Sequence, residues 1–313
     1  MKHNKIAFFL LTLIIINFSV VVNAQQKNGF NLSESIIPID QIKSGGPPKD
    51  GIPALTAPKF LSASEVDYLK TNDYVVGVSI NGEHKAYPIK ILNYHEIVND
   101  LVGGTPIVVS YCPLCGSALV FSSVFRSSVL NFGVSGLLYN SDVLMYDKQT
   151  NSLWSQLTMQ GISGKMKGQK LRFVNSEHTT WKDWNKRHPD TKALSLNTGY
   201  TRDYSRNPYA DYPTSPSLYF PVANQSEELD IKEQVLGVEV DGKYKAYPFS
   251  ELKKAENVFP DSLHSTKFTI QFNSSTRSAI VVSSSKPIVY ITTYWFAWYA
   301  FHPDTEVYRA KKK

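Results

Sequence analysis

The chain has only two cysteines in 313 residues, Cys112 and Cys115, and no others that could build a disulfide framework or a four-thiolate metal knuckle. It also lacks a phosphate loop, a dinucleotide glycine fingerprint and a G-x-S-x-G nucleophile turn, so no nucleotide cofactor is expected. Charge of one sign is scarce. Lys and Arg number 33 against 27 Asp and Glu, two of the cations (Lys2, Lys5) precede the apolar N-terminal run, and three more are the terminal Lys311–Lys313. With no basic stripe, a nucleic-acid partner is not expected. Beyond residue 22 no apolar run is long enough to span a bilayer, so no stable membrane insertion is expected once the leader is removed.

That leader is the first thing present. "MKHNK" is basic, Ile6 to Val22 is an uncharged, predominantly apolar run, and Val22–Ala24 offers small residues before polar "QQKN". The layout predicts a signal peptide over 1–24 and a periplasmic or extracellular location; a retained anchor is the alternative. Two cysteines in such a space should be bonded, metal-bound or kept reduced for a purpose. Hydrophobic residues at 42% and charged residues at 19% suit a globular body with a substantial core, and 18 Tyr with 5 Trp point to β-structure.

The sequence repeats itself. Val75–Leu92 ("VVGVSINGEHKAYPIKIL") matches Val235–Leu252 ("VLGVEVDGKYKAYPFSEL"), each reading as strand, Asn-Gly or Asp-Gly turn, strand. Thr105–Ser123 aligns without gaps on Thr266–Ser284, and Thr179–Thr191 shares W-x-x-W-x-x-x-H-P-D-T with Thr292–Thr305. The expectation is an α+β, β-rich fold: two tandem related modules of antiparallel strands with few short helices. An extended segment covers 25–60, module one covers 61–196, a Tyr/Pro-rich connection covers 197–222 and a degenerate module two covers 223–313. About Val124–His178 is extra in the first module. Helices are expected over Pro88–Asp100 and over Thr180–His188, the second with Thr180 as N-cap.

The repeat is an internal control for the thiols. Cys112-Pro113-Leu114-Cys115 becomes Asn273-Ser274-Ser275-Thr276, and His95 becomes Ala255, while the flanking apolar pattern and Glu96 (as Glu256) persist. Joint loss of both sulfurs and an imidazole suggests one shared site. A strand–CPLCG–strand layout suits a metal knuckle, so Cys112, Cys115 and His95 are the expected ligands of zinc or copper, with Glu96 orienting the His95 ring. His84, His178, Asp142, Met145 or water are candidates for a fourth ligand.

Two alternatives remain at this stage. One is a periplasmic thiol–disulfide oxidoreductase in which Cys112 attacks and Cys115 resolves. The other is a non-enzymatic surface or scaffold protein with a structural disulfide, whose small loop would contribute roughly 2 kcal/mol. His188 and His302, both in H-P-D-T, read as helix ends. Asp142 and Asp147 read as turn residues or a carboxylate pair, and Arg202, Asp203, Tyr204 and Arg206 as an anion site or a self-bonded loop.

The phrases "GGPPKDGIPAL", "HEIVND", "YCPLCGSALVF", "SDVLMYDKQTNSLWSQ", "HPDT", "TGYTRDYSRNPYADY" and "LYFPV" together resemble a bacterial domain-of-unknown-function family, number 3179. The resemblance covers nearly the whole chain after the leader. It falls on Cys112, Cys115, His95 and Glu96, and implies no particular activity.

Overall fold

A computed structural model describes residues 25–311; the signal-peptide stretch 1–24 lies outside them. The hairpin turns form as their sequences require. Asn81 and Gly82 have φ 50° and 79°, Asp241 and Gly242 48° and 73°, the doubly left-handed geometry that lets a two-residue turn follow the twist of its strands.

Five sheets of three to five strands result. Blade 1 is built on Tyr74–Ile80 and Glu83–Pro88, flanked by Ser176–Thr180, Lys192–Leu194 and Phe60–Ser62. Blade 2 comprises Leu55–Thr56, Ile97–Val102, Thr105–Cys112, Ser117–Ser122 and Arg172–Val174. Blade 3 comprises Ile42–Ser44, Phe132–Tyr139, Asp142–Asp147, Leu153–Ser155 and Gln160–Gly161. Blade 4 holds Gln234–Val240, Lys243–Pro248, Val289–Tyr294 and Glu306–Val307, and blade 5 holds Val258–Leu263, Thr266–Asn273 and Ser278–Ser284.

The blades form a five-bladed β-propeller. This corrects the expected α+β pair of tandem modules. Strand makes up 43% and helix 12%, so helices are few but do not form a layer. The extra segment after Val124 is not trimming on the first copy. It pairs with Ile42–Ser44 and becomes a blade of its own.

The repeated residues nevertheless sit in matching registers. Gly77 pairs with Ala86 and Gly237 with Ala246. Each glycine lies under an indole, Trp184 or Trp298, where an added Cβ would meet ring carbon at 2.3 Å. Each indole Nε1–H donates to the Thr that ends the H-P-D-T turn, Thr191 at 2.8 Å and Thr305 at 2.9 Å. Burying each ring contributes on the order of 5 kcal/mol. His188 and His302 cap the short helices and pack on those rings, which accounts for the motif without chemistry.

The K-A-Y phrase is structural too. Lys85 and Tyr87 of blade 1 converge on Asp100 of blade 2 at 2.9 and 2.7 Å, and Lys245 and Tyr247 of blade 4 on Asp261 of blade 5 at 2.8 and 2.9 Å. Helix α1 (Ile89–His95) is shorter than expected: Glu96 turns to φ 56°, and the β-branched Ile97-Val98 start a strand of blade 2. Helix α2 (Trp181–Arg187) has its Thr180 cap accepting from the Asp183 amide. Helices α3 (Phe249–Leu252) and α4 (Trp295–Phe301) close the set. Among the described residues no helix is long and apolar enough to cross a membrane.

Candidate metal centre

The apolar, β-branched runs on either side of CPLC form antiparallel strands whose last pair is Cys112 with Ser117, leaving a tight turn over residues 113–116. Gly116 has φ +60°, and a Cβ there would press on the Tyr294 ring at 2.9 Å. The Cys115 carbonyl accepts from the Tyr294 amide at 2.8 Å and from the Thr293 hydroxyl at 2.9 Å. Blade 4 thus pins the turn from the side opposite its own sheet.

Blade 3 supplies the facing wall. Its Asn140-Ser141 turn, with φ 51° and 63°, is another doubly left-handed hairpin. Its tip is held where the Ser141 hydroxyl donates to the Phe220 carbonyl and Asn140 Oδ1 accepts from the Ala223 amide. Both thiols point at the Ser141 carbonyl, at 3.7 Å from Cys112 and 3.5 Å from Cys115. The next residue is Asp142. Its carboxylate and the two sulfurs lie within 4.8 Å of one another, all three buried. The cysteines are free thiols.

Asp142 Oδ2 accepts from the Leu157 amide at 3.0 Å. Among the described residues Oδ1 has no hydrogen-bond partner, although it is buried. Burial lifts the Asp142 carboxyl to about 7, against the Leu157 and Val143 amides and the two thiols, which pull it down. Burial also drives the Cys115 thiol well above its ordinary range, and the adjacent Cys112 and Asp142 push the same way. Among the described residues no helix N-terminus or cation offsets this, so without a metal Cys115 stays protonated.

His95 is placed elsewhere. Its Nδ1 lies 2.8 Å from the Pro53 carbonyl, which can only accept, so Nδ1 carries the proton. Nε2 then accepts from the Tyr204 hydroxyl at 2.6 Å, and Tyr204 in turn meets Thr198 at 2.6 Å. Both ring nitrogens are used in fastening the Tyr-rich connection, and the ring is not in the group that converges on the sulfurs. Burial lowers its pKa. Glu96 does not touch His95's nitrogens either. Its backbone bridges Leu92 and Tyr111, and its carboxyl is pushed up to about 8, first by burial and then by Asp142.

The remaining candidates disperse. His84 stacks on His188 at 4.1 Å in blade 1. His178 meets the Tyr74 ring edge at 5.2 Å, and burial pulls it down to about 4. Met145 alone stays near, buried in the same apolar cluster as the thiols. Asp147 holds the fold, accepting from the Thr150 amide at 2.6 Å and from Trp154 Nε1 at 2.9 Å. Arg202 donates to the adjacent Thr201 carbonyl and Asp203 accepts from Ser205, so the connection is bonded to itself.

A cavity of about 260 Å³ opens beside Cys112, walled by Glu96, Pro113, Leu114, Tyr209 and Phe220 among others. Sequence reading missed the Ser141 carbonyl and the tyrosines around the thiols, Tyr111, Tyr209, Tyr212 and Tyr294, whose hydroxyls burial pushes up. The Tyr-rich composition of 197–222 was the only available signal for two of them.

The family model described as Protein of unknown function (DUF3179) matches residues 49–286. The chain belongs to the DUF3179 family. The DUF3179 match takes in Glu96, the CPLC turn and Asp142, and so the whole of this centre. No curated protein and no solved structure matches the chain.

Proposed function

We propose that this is an exported protein that binds one transition-metal ion through Cys112, Cys115 and Asp142. The observation that carries this reading is Asp142 Oδ1, a buried carboxylate oxygen that has no N–H or O–H partner among the described residues and is set within 4.8 Å of two buried sulfurs. A buried polar atom left unpaired costs about 1–3 kcal/mol, and a cation in reach of all three donors offsets that cost. Two sulfurs and one oxygen fit zinc better than copper(I), because the carboxylate is a hard ligand. Three protein donors are fewer than the four of a closed structural zinc site, which leaves a position for an exogenous ligand. Export rests on the leader sequence.

Metal analysis of protein purified and reconstituted with zinc under reducing conditions tests this. About one equivalent is expected, falling to background in Cys112→Ser and Asp142→Asn and retained in His95→Ala. Absence of bound zinc in the folded wild type refutes the reading, as does full retention in Asp142→Asn.

A second reading, thiol–disulfide exchange, draws on the same carboxyl: at about 7 Asp142 is placed to accept a thiol proton. It predicts no metal and a Cys112–Cys115 disulfide that mild reductants open.

A further inference from the structure

Glu96 occupies an unusual backbone position. It follows α1 with φ 56° and ψ −34°, a conformation costly for a residue bearing a side chain. Two backbone bonds hold it there, its amide to Leu92 at 2.8 Å and its carbonyl to the Tyr111 amide at 2.7 Å. The result is a carboxyl that lines the cavity beside Cys112. Glu96 is 7% exposed, and among the described residues its carboxyl makes no hydrogen bond and no ion pair. The aligned Glu256 in the second copy is exposed and is not among the residues at positive φ.

The rest of the cavity sets the kind of ligand. Apart from Cys112 its wall is otherwise aliphatic and aromatic, with the rings of Tyr209, Tyr219 and Phe220 and, among the described residues, no Lys, Arg or His. Once ionised, the Glu96 carboxylate meets an anion with no compensating cation in the wall, which disfavours anions. A single acid among aromatic faces suits a positive charge: the carboxylate pairs with it and the rings attract it through their quadrupoles. At about 260 Å³ the space is below that of an ordinary drug-sized site and takes a small molecule. Tyr219 is 59% exposed, so the cavity meets the surface at that ring.

We propose that this cavity binds a small organic ammonium ion, with Glu96 as its counter-ion and Tyr209, Tyr219 and Phe220 around its apolar body. This goes beyond metal binding and does not require it, since none of these four residues is a metal donor.

Titration calorimetry at pH 8.5, above the Glu96 carboxyl's value of about 8 and below that of the amine, with benzylamine, benzyl alcohol and benzoate tests it on metal-free and zinc-loaded protein alike. Saturable one-to-one binding of benzylamine is expected, with benzyl alcohol at least about tenfold weaker and benzoate undetected, the loss of one charge-assisted contact being worth about that factor. Glu96→Gln should weaken benzylamine about tenfold or more with zinc content unchanged. Tyr219→Leu alters an exposed ring and cannot unfold the core, so it decides the matter if Glu96→Gln does not fold; it should weaken benzylamine about threefold or more. No benzylamine binding at millimolar concentration, equal affinity for benzyl alcohol, or affinity unchanged in folded Glu96→Gln or in Tyr219→Leu overturns the proposal.

Discussion

Replacing Glu96 by Gln should make the protein more stable in alkali and leave it unchanged in acid. Burial first, and the Asp142 carboxylate second, raise the Glu96 carboxyl from 4.5 to about 8 in the folded chain. Between those pH values the folded state holds a proton that the unfolded state has released. Stability therefore falls as pH rises through that window and reaches its floor above about 8. The separation between 4.5 and about 8, at about 1.4 kcal/mol for each pH step, comes to ~5 kcal/mol. Gln keeps the shape and has no proton to lose, so the variant and the wild type should coincide near pH 4 and diverge by up to ~5 kcal/mol at pH 9.

In urea a difference of that size moves the unfolding midpoint by about 2 M. Other groups titrate in the same range. Burial depresses His178 and His302 to about 4, which adds stability as pH rises, in the opposite sense. They are common to both proteins and cancel in the difference. Urea midpoints at pH 4, 6, 7.5 and 9 in the presence of a chelator give the curve directly. Parallel wild-type and variant profiles across that range would refute the burial argument for Glu96, and with it the claim that the carboxyl is poorly solvated in its cavity.

The close approach of each indole to a strand glycine gives a second expectation. Gly77→Ala and Gly237→Ala each drive a Cβ into a ring held by its own N–H bond and should lose about 3 kcal/mol or more in melting experiments, whereas Gly82→Ala, with nothing within 4 Å but φ +79°, should lose about 1 kcal/mol. Equal losses at Gly77 and Gly82 would contradict the packing described. The two Lys–Asp ties are also unequal. Lys85→Ala leaves Asp100 buried, with side-chain exposures of 9% and 7% in the pair, and should lose about 3 kcal/mol; Lys245→Ala, at 14% and 20%, should lose less. Denaturation of the two single variants side by side reads the difference, and a larger loss at Lys245 counts against it.

Local structure was legible wherever chemistry within a few residues decides it. The Asn81-Gly82 and Asp241-Gly242 turns, the Thr180 cap and the pairing of CPLC with its flanking strands all follow from neighbours in sequence. The failures are non-local. Pro88–Asp100 carries helical spacing, but the Glu96 backbone bonds to Tyr111 and Ile97–Val102 is drawn into blade 2, so tertiary pairing overrides propensity. The segment after Val124 stands out in the sequence as extra to the first copy. That it closes with Ile42–Ser44, some ninety residues earlier, into a separate blade was not visible, because that strand is three residues long and carries no pattern of its own.

Asp142 stands in the sequence only among several candidates for a fourth ligand, behind His95, and the repeat explains why. Loss of His95 together with Cys112 and Cys115 from the second copy was read as evidence that the three touch. The structure separates two causes of such joint loss. The thiols face Asp142, which belongs to the blade 3 segment that the second copy lacks. His95 faces Tyr204, in the connection that the second copy also lacks. Each first-copy residue answers to a neighbour that has no counterpart, and the two neighbours are different. Glu96 makes the point from the other side. It persists as Glu256, yet only Glu96 is buried, because segments present once in the chain cover it. Duplicated scaffold therefore carries the strands, the indoles and the Lys–Asp ties. The candidate centre is assembled where unduplicated segments, blade 3 and the Tyr-rich connection, close over one copy of a hairpin that both halves share.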